Sequence, residues 1–205
     1  MSVSQRIIEV AAQLFINHGV KTITMNDIAA EAGISKKTLY EHFVNKEDLL
    51  VKCLDFVHEE GKAEREKIFG KDGFTIEAMV EITRQTALKF NNINPNFIID
   101  IKRYHPHIWK SKIVKMDKEN IEFNAWMIKE GINKGLFRSD LNVDVLSKLL
   151  QEQINMLVGE NVFPADKFSR AEVFQTMMEV FGRGISTDKM LEELRNVDKT
   201  GNKQI

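Results

Sequence analysis

The sequence predicts an all-α protein, in which a three-helix N-terminal region is joined by a long helix to a larger helical region. Three observations favour this fold class. Apolar residues recur every three or four positions through long segments of the chain. The alternation of apolar and polar residues that is typical of strands is scarce. Glycine, proline and capping residues stand between the periodic segments, where helices would begin and end.

The N-terminal region contains three predicted helices. Each follows a side chain that can accept a hydrogen bond from the first helical turn, where backbone N–H groups lack partners. These caps are Ser2, Thr24 and Ser35. Gln5, three residues after Ser2, completes the pattern of a capping box, and Thr24 followed by Asp27 resembles a second cap. Gly19 and Gly33 end the first two helices, because glycine readily adopts the left-handed conformation found there.

A longer fourth helix links the two regions. Asn45 followed by Asp48 predicts its start, and glycines after Phe69 predict its end. The next helix spans about residues 75–92.

A break at Asn94-Pro95 separates that helix from a short one that ends before Pro106, because proline and the residue before it disfavour helix continuation. A long helix is then predicted from about residue 107 to the glycines at 131 and 135.

Two more long helices are predicted near the end of the chain, at about residues 143–162 and 169–185, followed by a tail helix at about 188–196. The polar end from Lys199 to Gln204 is expected to fray. Each long helix carries an apolar stripe. If the two helices pair with their symmetry mates, they form a four-helix interface, so a homodimer is predicted.

Charge and cysteine content narrow the classes of function. The chain of 205 residues has 29 Lys and Arg against 30 Asp and Glu, a net charge of -1. No global positive field therefore holds nucleic acid, and any such contact must come from a local patch. Cys53 is the single cysteine, which excludes an internal disulfide and favours a reducing compartment. No apolar run has the length of a secretory signal or membrane span, so the cytoplasm is the expected location.

The second and third helices have the pattern of a helix-turn-helix, from Met25 to Phe43. Leu39 and Phe43 are one helical turn apart, so both can pack against the apolar face of the second helix. Ala29 allows the two helices to cross closely. The opposite face of the third helix then presents Lys37 among other polar side chains, and this face can form hydrogen bonds with a partner.

Side chains on and around the third helix are candidate DNA contacts. A recognition helix places its base-reading side chains in its first turn, which contains Lys36 and Lys37, and Lys donates to guanine or phosphate. The other candidates either carry donors that reach phosphate oxygens or lie at helix starts, where free N–H groups favour anions. They are Thr24, Ser35, Tyr40, His42 and Lys46.

The DNA-binding region of the TetR family of regulators resembles roughly residues 5–52 of this chain. The resemblance lies in the run TMNDIAAEAGISKKTLYEHFVNKEDLL, which follows AAQLFINHGVKTI. Its most specific part is the spacing of Gly33, Thr38, Leu39, Tyr40, His42, Phe43 and Lys46. The resemblance implies phosphate or base contacts for Thr24, Lys36, Thr38, Tyr40, His42 and Lys46. Many members have a small residue where Lys37 stands, so a base contact, a phosphate contact and a solvated charge all remain open for Lys37.

The resemblance further implies a helix-turn-helix DNA-binding domain at residues 1–46 and a ligand-binding and dimerisation domain at residues 47–205. A dimer places two recognition helices in successive major grooves, about 34–36 Å apart, so the operator should be nearly palindromic. A hydrophobic or amphipathic small molecule would release the DNA by favouring the conformer in which these helices are wrongly spaced.

Apolar and aromatic side chains at helical spacing are candidates for the ligand pocket. They are Phe90, Phe97, Ile101, Tyr104, Trp109, Met116, Phe123 and Trp126. Ordinary core packing explains such stripes equally well, so both interpretations remain open. The run His105-Pro106-His107 lacks a matched carboxylate or cysteine at a metal-binding spacing, and a turn at a helix boundary is the favoured interpretation.

The alternative functions are an all-α enzyme or ligand carrier, and a transcriptional activator. An all-α enzyme or ligand carrier finds no support, because Cys53 has no evident partner and the histidines form no catalytic pattern. No catalytic residue, cofactor or metal is therefore predicted. A transcriptional activator fits the residues as well as a repressor does, because the sign of regulation depends on operator position, which lies outside the protein.

Overall fold

The computed structural model is all-helical, as the sequence predicts, and describes residues 2–70, 72–90, 92–159, 162–164 and 167–200. Within those residues the only β-type pairing is an isolated antiparallel bridge between Phe137 and Ser186. The helices are α1 (Val3–His18), α2 (Met25–Glu31), α3 (Lys36–His42), α4 (Lys46–Phe69), α5 (Ile76–Phe90), α6 (Asn96–Tyr104), α7 (Pro106–Ile108), a π-turn (Trp109–Ile113), α8 (Val114–Asn133), α9 (Val143–Gly159), α10 (Arg170–Ile185) and α11 (Asp188–Thr200).

The chain divides into two compact units. The first unit comprises Met1–Glu64 and Asn92–Met116, so it is built from two separate stretches of sequence. Both stretches contribute to its apolar core. Its most deeply buried side chains include Ile7, Phe15, Ile28, Leu39, Leu49, Leu50, Ile101 and Ile108.

The second unit comprises Arg65–Asn91 and Asp117–Ile205. Its core brings together the end of α4, the start of α5, the turn after α8 and the junction of α10 with α11. The buried members are Phe69, Phe74, Ile76, Ala78, Leu136, Phe137, Ile185 and Met190. The predicted domains, residues 1–46 for DNA binding and residues 47–205 for ligand binding and dimerisation, are defined by function. They differ from these compact units and stay a prediction.

The helix caps follow the sequence closely. Ser2 accepts a hydrogen bond from the backbone N–H of Gln5 at 3.1 Å, but the Gln5 side chain donates to Glu9 instead of returning to the cap. The capping box is complete at Thr24, whose side chain and backbone N–H both bond with Asp27. Local signals in the sequence thus place these helix starts correctly.

A π-turn interrupts what the sequence predicts as one long helix from about residue 107. Its N–H to carbonyl bond joins Val114 to Trp109, five residues back. Ile108 and Ile113 are both buried in the first core. In an α-helix, residues five apart differ in direction by about 140°, whereas the wider turn lets both side chains reach the same core.

The later helix ends differ from the prediction in small ways. The last described helical residue of α9 is Gly159, and the predicted end near 162 falls beyond residues 160 and 161, which lie outside the described residues. The tail helix is longer than expected and continues to Thr200, so Lys199 is helical. The rest of the predicted frayed end, residues 201–204, lies outside the described residues. No helix in the described part of the chain is both long enough and apolar enough to cross a membrane.

Candidate nucleic-acid interface

Backbone hydrogen bonds close the turn between α2 and α3. Gly33 has φ +65°, in the left-handed region that favours glycine. The N–H of Ile34 donates to the carbonyl of Ala29 at 3.0 Å. Ala29 is buried, so a larger side chain there would push the two helices apart. Leu39 and Phe43 are buried as predicted, which fixes the outward face of α3.

The start of α2 is held by a reciprocal pair of residues. The Thr24 hydroxyl donates to Oδ2 of Asp27 at 2.7 Å, and the Thr24 backbone N–H donates to the same oxygen at 2.8 Å. These two hydrogen bonds, led by that of the hydroxyl, lower the pKa of Asp27. Because a hydroxyl has one proton to donate, Thr24 must turn it away from Asp27 in order to donate to a phosphate.

The predicted DNA contacts all lie in the first unit and at its surface. Six are exposed, namely Thr24, Ser35, Lys36, Lys37, Tyr40 and His42. Thr38 and Lys46 are half-buried. The exposed fraction of Tyr40 is 46%, which is large for an aromatic side chain and leaves its hydroxyl free to meet a partner.

Two contacts on α3 restrict its polar side chains. The hydroxyls of Ser35 and Thr38 are 2.9 Å apart and share one hydrogen bond, so one of the two O–H groups remains able to donate elsewhere. The ammonium of Lys36 lies 5.9 Å from the centre of the Tyr40 ring, within the range of a cation–π contact. Both contacts limit the rotamers of side chains that the sequence predicts to touch DNA.

Lys46 occupies a mixed environment at the start of α4. Its ammonium lies 5.9 Å from the centre of the Phe15 ring. Burial lowers the pKa of Lys46, while the carboxylates of Asp100 and Asp27 act in the opposite direction and favour its charged form. Carboxylates from α2 and α6 therefore partly offset the effect of burial on Lys46.

The predicted ligand contacts are divided between the two units. Phe97 and Ile101 are buried in the first core, Trp109 and Met116 pack against that core, and Tyr104 is exposed. In the second unit, Phe90 is buried and its ring centre lies 4.9 Å from that of Phe174. The remaining two, Phe123 and Trp126, belong to one aromatic cluster. Each unit thus brings together its own subset of the predicted residues.

The aromatic cluster of the second unit consists of Phe69, Phe123 and Trp126. Their ring centres are separated by 5.1 to 5.6 Å. The guanidinium of Arg65 lies 4.7 Å from the centre of the Phe123 ring and also donates to Oδ1 of Asn120 at 2.6 Å. This cluster combines apolar surface with oriented polar groups, as small-molecule sites do.

A polar seam between α8 and α9 was missed in the sequence. Asp117 accepts hydrogen bonds from Gln151 at 3.2 Å and from Asn155 at 3.3 Å. Asn124 is buried on the same helix as Asp117, and its Nδ2 has no hydrogen-bond partner among the described residues. The missed signal is the spacing of polar residues at helical intervals within apolar helices, at Asp117, Asn120 and Asn124 on α8 and at Ser147, Gln151 and Asn155 on α9.

The two histidines around Pro106 flank a helix boundary, as predicted. Nδ1 of His105 lies 2.7 Å from Oε1 of Glu47, and Nε2 of His107 lies 3.6 Å from the other oxygen of Glu47. No group of three or more His, Cys, Asp or Glu side chains in the described residues is arranged to hold a metal ion. The histidines instead connect the α6–α7 boundary to the first turn of α4.

Comparison with known proteins identifies the helix-turn-helix. The family model described as "Bacterial regulatory proteins, tetR family" matches residues 7–53. The repressor KstR2 of Rhodococcus jostii is 27% identical over 152 residues, which cover 71% of this chain and 73% of KstR2. Residues 7–53 therefore match the DNA-binding region of TetR-type regulators. The chain is a DNA-binding regulator and not an enzyme.

Solved structures of TetR-family regulators share the fold over nearly the whole chain. KstR2 of Mycobacterium tuberculosis superposes with a TM-score of 0.62 at 20% identity, covering 91% of this chain and 96% of that one. The complex of SmeT with triclosan gives a TM-score of 0.72 at 14% identity, covering 93% and 94%. SmeT is the repressor of a multidrug efflux pump of Stenotrophomonas maltophilia.

Proposed function

We propose that this regulator is a TetR-family repressor that leaves a nearly palindromic operator when it binds a small-molecule effector. The observation that carries the proposal is the α2–α3 pair, whose buried face is fixed while its outward face exposes hydrogen-bond donors. Similarity to KstR2, named a transcriptional repressor, supports the sign of regulation. The triclosan complex of the structurally similar SmeT supports a small-molecule effector. A regulator of transcription acts where the chromosome is, so we place it in the cytoplasm.

The proposed DNA contacts divide into two roles. Lys36 and Lys37 stand in the first turn of α3, where side chains reach base edges, and both are exposed. The other proposed contacts bind phosphate and set the register of the protein on the duplex. They are Thr24, Ser35, Thr38, Tyr40, His42 and Lys46.

The DNA contacts are tested by replacing Lys46 or Tyr40 with alanine and measuring operator affinity at several salt concentrations. Each phosphate contact contributes roughly 0.9 to the slope of log K against log salt, so Lys46→Ala should weaken binding and reduce the slope by about two per dimer. Tyr40→Ala should weaken binding without unfolding the protein. The control is Lys52→Ala, which removes the same charge from an exposed position on α4. Wild-type affinity in both test variants would refute the assignment.

We further propose that α9 and α10 form the homodimer interface. Val145 and Leu149 lie one turn apart on α9 with exposed fractions of 58% and 46%, and Val180 on α10 is 69% exposed. A Cβ atom added at Gly182 or Gly184 would meet no atom within 4 Å. An apolar stripe beside small residues allows close approach of a partner helix, and burial of that stripe would stabilise the dimer.

The dimer is tested by sedimentation of Val180→Asp, which places a charge in the centre of the proposed interface. We expect a monomer that is still helical and that has lost operator affinity, because one head binds only half a site. Val114→Asp is the matched control, since Val114 is also half exposed but lies on α8. A dimeric Val180→Asp protein would exclude this interface.

The effector contacts remain the eight predicted side chains Phe90, Phe97, Ile101, Tyr104, Trp109, Met116, Phe123 and Trp126. Phe123 and Trp126 have the best support, because polar groups on Arg65 and Asn120 adjoin them. An apolar or aromatic small molecule would stack on the rings while the polar groups fix its orientation.

A further inference from the structure

Asp100 is a buried carboxylate on α6, with only 7% of the residue exposed. Its Oδ2 accepts a hydrogen bond from the backbone N–H of Lys21 at 2.7 Å. Lys21 lies in the turn between α1 and α2, three residues before the Thr24 cap. Burying a carboxylate is costly unless hydrogen bonds compensate, so this bond fixes the turn firmly to α6.

The same turn also passes close to α6 at Gly19. This residue has φ +83°, and a Cβ atom there would lie 3.1 Å from Oδ2 of Asp100. Just before α6, the backbone N–H of Asn94 donates to the carbonyl of Ile16 at 2.8 Å, which supplies a partner from outside α1 for a carbonyl in the last turn of that helix. The end of α1 and the turn after it are therefore positioned by α6 and the residues that precede it.

Asp100 also acts on Lys46 through its charge. The carboxylates of Asp100 and Asp27 both favour the charged form of Lys46, against the effect of burial. Asp27 is the residue that completes the cap at Thr24. Asp100 is thus linked to Thr24 through the hydrogen-bonded turn at Lys21, and to Lys46 through its charge.

We propose that Asp100 is a positioning residue for DNA binding, which holds the α1–α2 turn so that Thr24 meets phosphate, without touching DNA itself. The proposal rests on the proposed contacts of Thr24 and Lys46. Asp100 should affect the strength of DNA binding in two opposite ways. The hydrogen bond to Lys21 strengthens DNA binding by ordering the turn, whereas the negative charge weakens it by offsetting the attraction of Lys46 for phosphate.

Two substitutions separate these effects. Asp100→Asn keeps an acceptor oxygen for the Lys21 N–H and removes the charge, while Asp100→Ala removes both. We expect operator affinity of Asp100→Ala to fall about tenfold, the effect of roughly 1.4 kcal/mol. We expect Asp100→Asn to bind as tightly as the wild type or up to several-fold more tightly. In both variants the salt slope should match the wild type, because no phosphate contact is lost.

The charge-matched control is Asp140→Asn, which removes a carboxylate that is paired with Arg138 in the second unit, and its operator affinity should be unchanged.

Equal weakening by Asp100→Asn and Asp100→Ala would overturn the proposal, as would wild-type affinity in folded Asp100→Ala. If Asp100→Ala fails to fold, the proposal is tested instead by the rate of hydrogen exchange at the Lys21 amide in the wild type and in Asp100→Asn. Protection in wild type and Asp100→Asn supports the proposal, and rapid exchange in the wild type contradicts it. Failure of the DNA contacts themselves is recognised separately, by an unchanged salt slope in Lys46→Ala.

Discussion

Gly131 shows how one missing side chain fixes a turn. A Cβ atom at this position would overlap the ring of Phe137, deep inside van der Waals contact. Phe137 is itself buried, and its ring packs edge-on against Phe74 with centres 5.8 Å apart. The ring has little room to move, so only glycine fits beneath it.

Gly131→Ala should therefore destabilise the protein by about 1–3 kcal/mol, the usual range for overpacking a core. Gly61→Ala is the matched control, because a Cβ atom there meets nothing within 4 Å. This control should raise stability by roughly 0.5–1 kcal/mol, since alanine restricts the unfolded chain and favours helix. Urea unfolding of the two variants measures both changes, and equal values would contradict the steric argument.

Asp117 makes stability depend on pH. Burial raises the pKa of this carboxyl above its ordinary value of 3.8, against the hydrogen bonds from Asn155 and Gln151. The folded protein thus holds the proton more tightly than the unfolded chain does. The resulting stabilisation is fully present below the unfolded pKa and is lost as pH rises through the folded pKa.

The test is the free energy of unfolding of Asp117→Asn and of the wild type, measured from pH 3 to pH 7. The difference in favour of the variant should grow as pH rises, because asparagine cannot ionise. A difference that stays constant with pH, or that shrinks, would show that burial does not dominate at Asp117.

At the scale of elements, the capping box of α2 is the clearest local device. Thr24→Val keeps the shape of the side chain but removes both hydrogen bonds of its hydroxyl to Asp27. We expect a loss of about 0.5–2 kcal/mol in stability, the usual cost of losing an N-cap. Thr24→Ser keeps the hydroxyl and should lie close to the wild type. Thermal unfolding of both variants checks this, and a loss in Thr24→Ser as large as that in Thr24→Val would contradict the dominant role of the cap.

The elements also show what sequence reasoning reaches. Helix starts were predictable because their signals are local, as at Ser35, whose hydroxyl accepts from the N–H of Thr38 three residues later. The π-turn was not predictable, because its position depends on a core that buries both Ile108 and Ile113. The hydrogen bond that the Lys21 N–H donates to Asp100 joins residues 79 apart in sequence, and no pattern along the chain predicts such a pair.

The candidate site divides in the same way. The outward face of α3 follows from periodicity alone, because buried Leu39 and Phe43 determine which side chains are exposed. The predicted ligand contacts share apolar character, which does not distinguish core from pocket. Polar groups such as Asn124, whose Nδ2 has no partner among the described residues, cannot be found from apolar stripes.

At the scale of the whole molecule, the first unit is discontinuous in sequence, and its core needs residues from both stretches. Phe97, Ile101, Ile108 and Ile113 belong to the same buried cluster as Leu39. A fragment of residues 1–64 should therefore be unfolded, whereas a fragment of residues 1–116 should retain a cooperative transition. Circular dichroism during thermal unfolding distinguishes the two, and a cooperative transition in the shorter fragment would contradict this reasoning.

This discontinuity also delays completion of the first core during protein synthesis. A chain emerging from the ribosome presents α1 to α4 early, yet the residues that complete their core are made only after α5. At a synthesis rate of about 5–20 residues per second, the first unit waits for several seconds with its apolar surface uncovered. During that interval the nascent DNA-binding head therefore exposes apolar side chains that the finished protein buries.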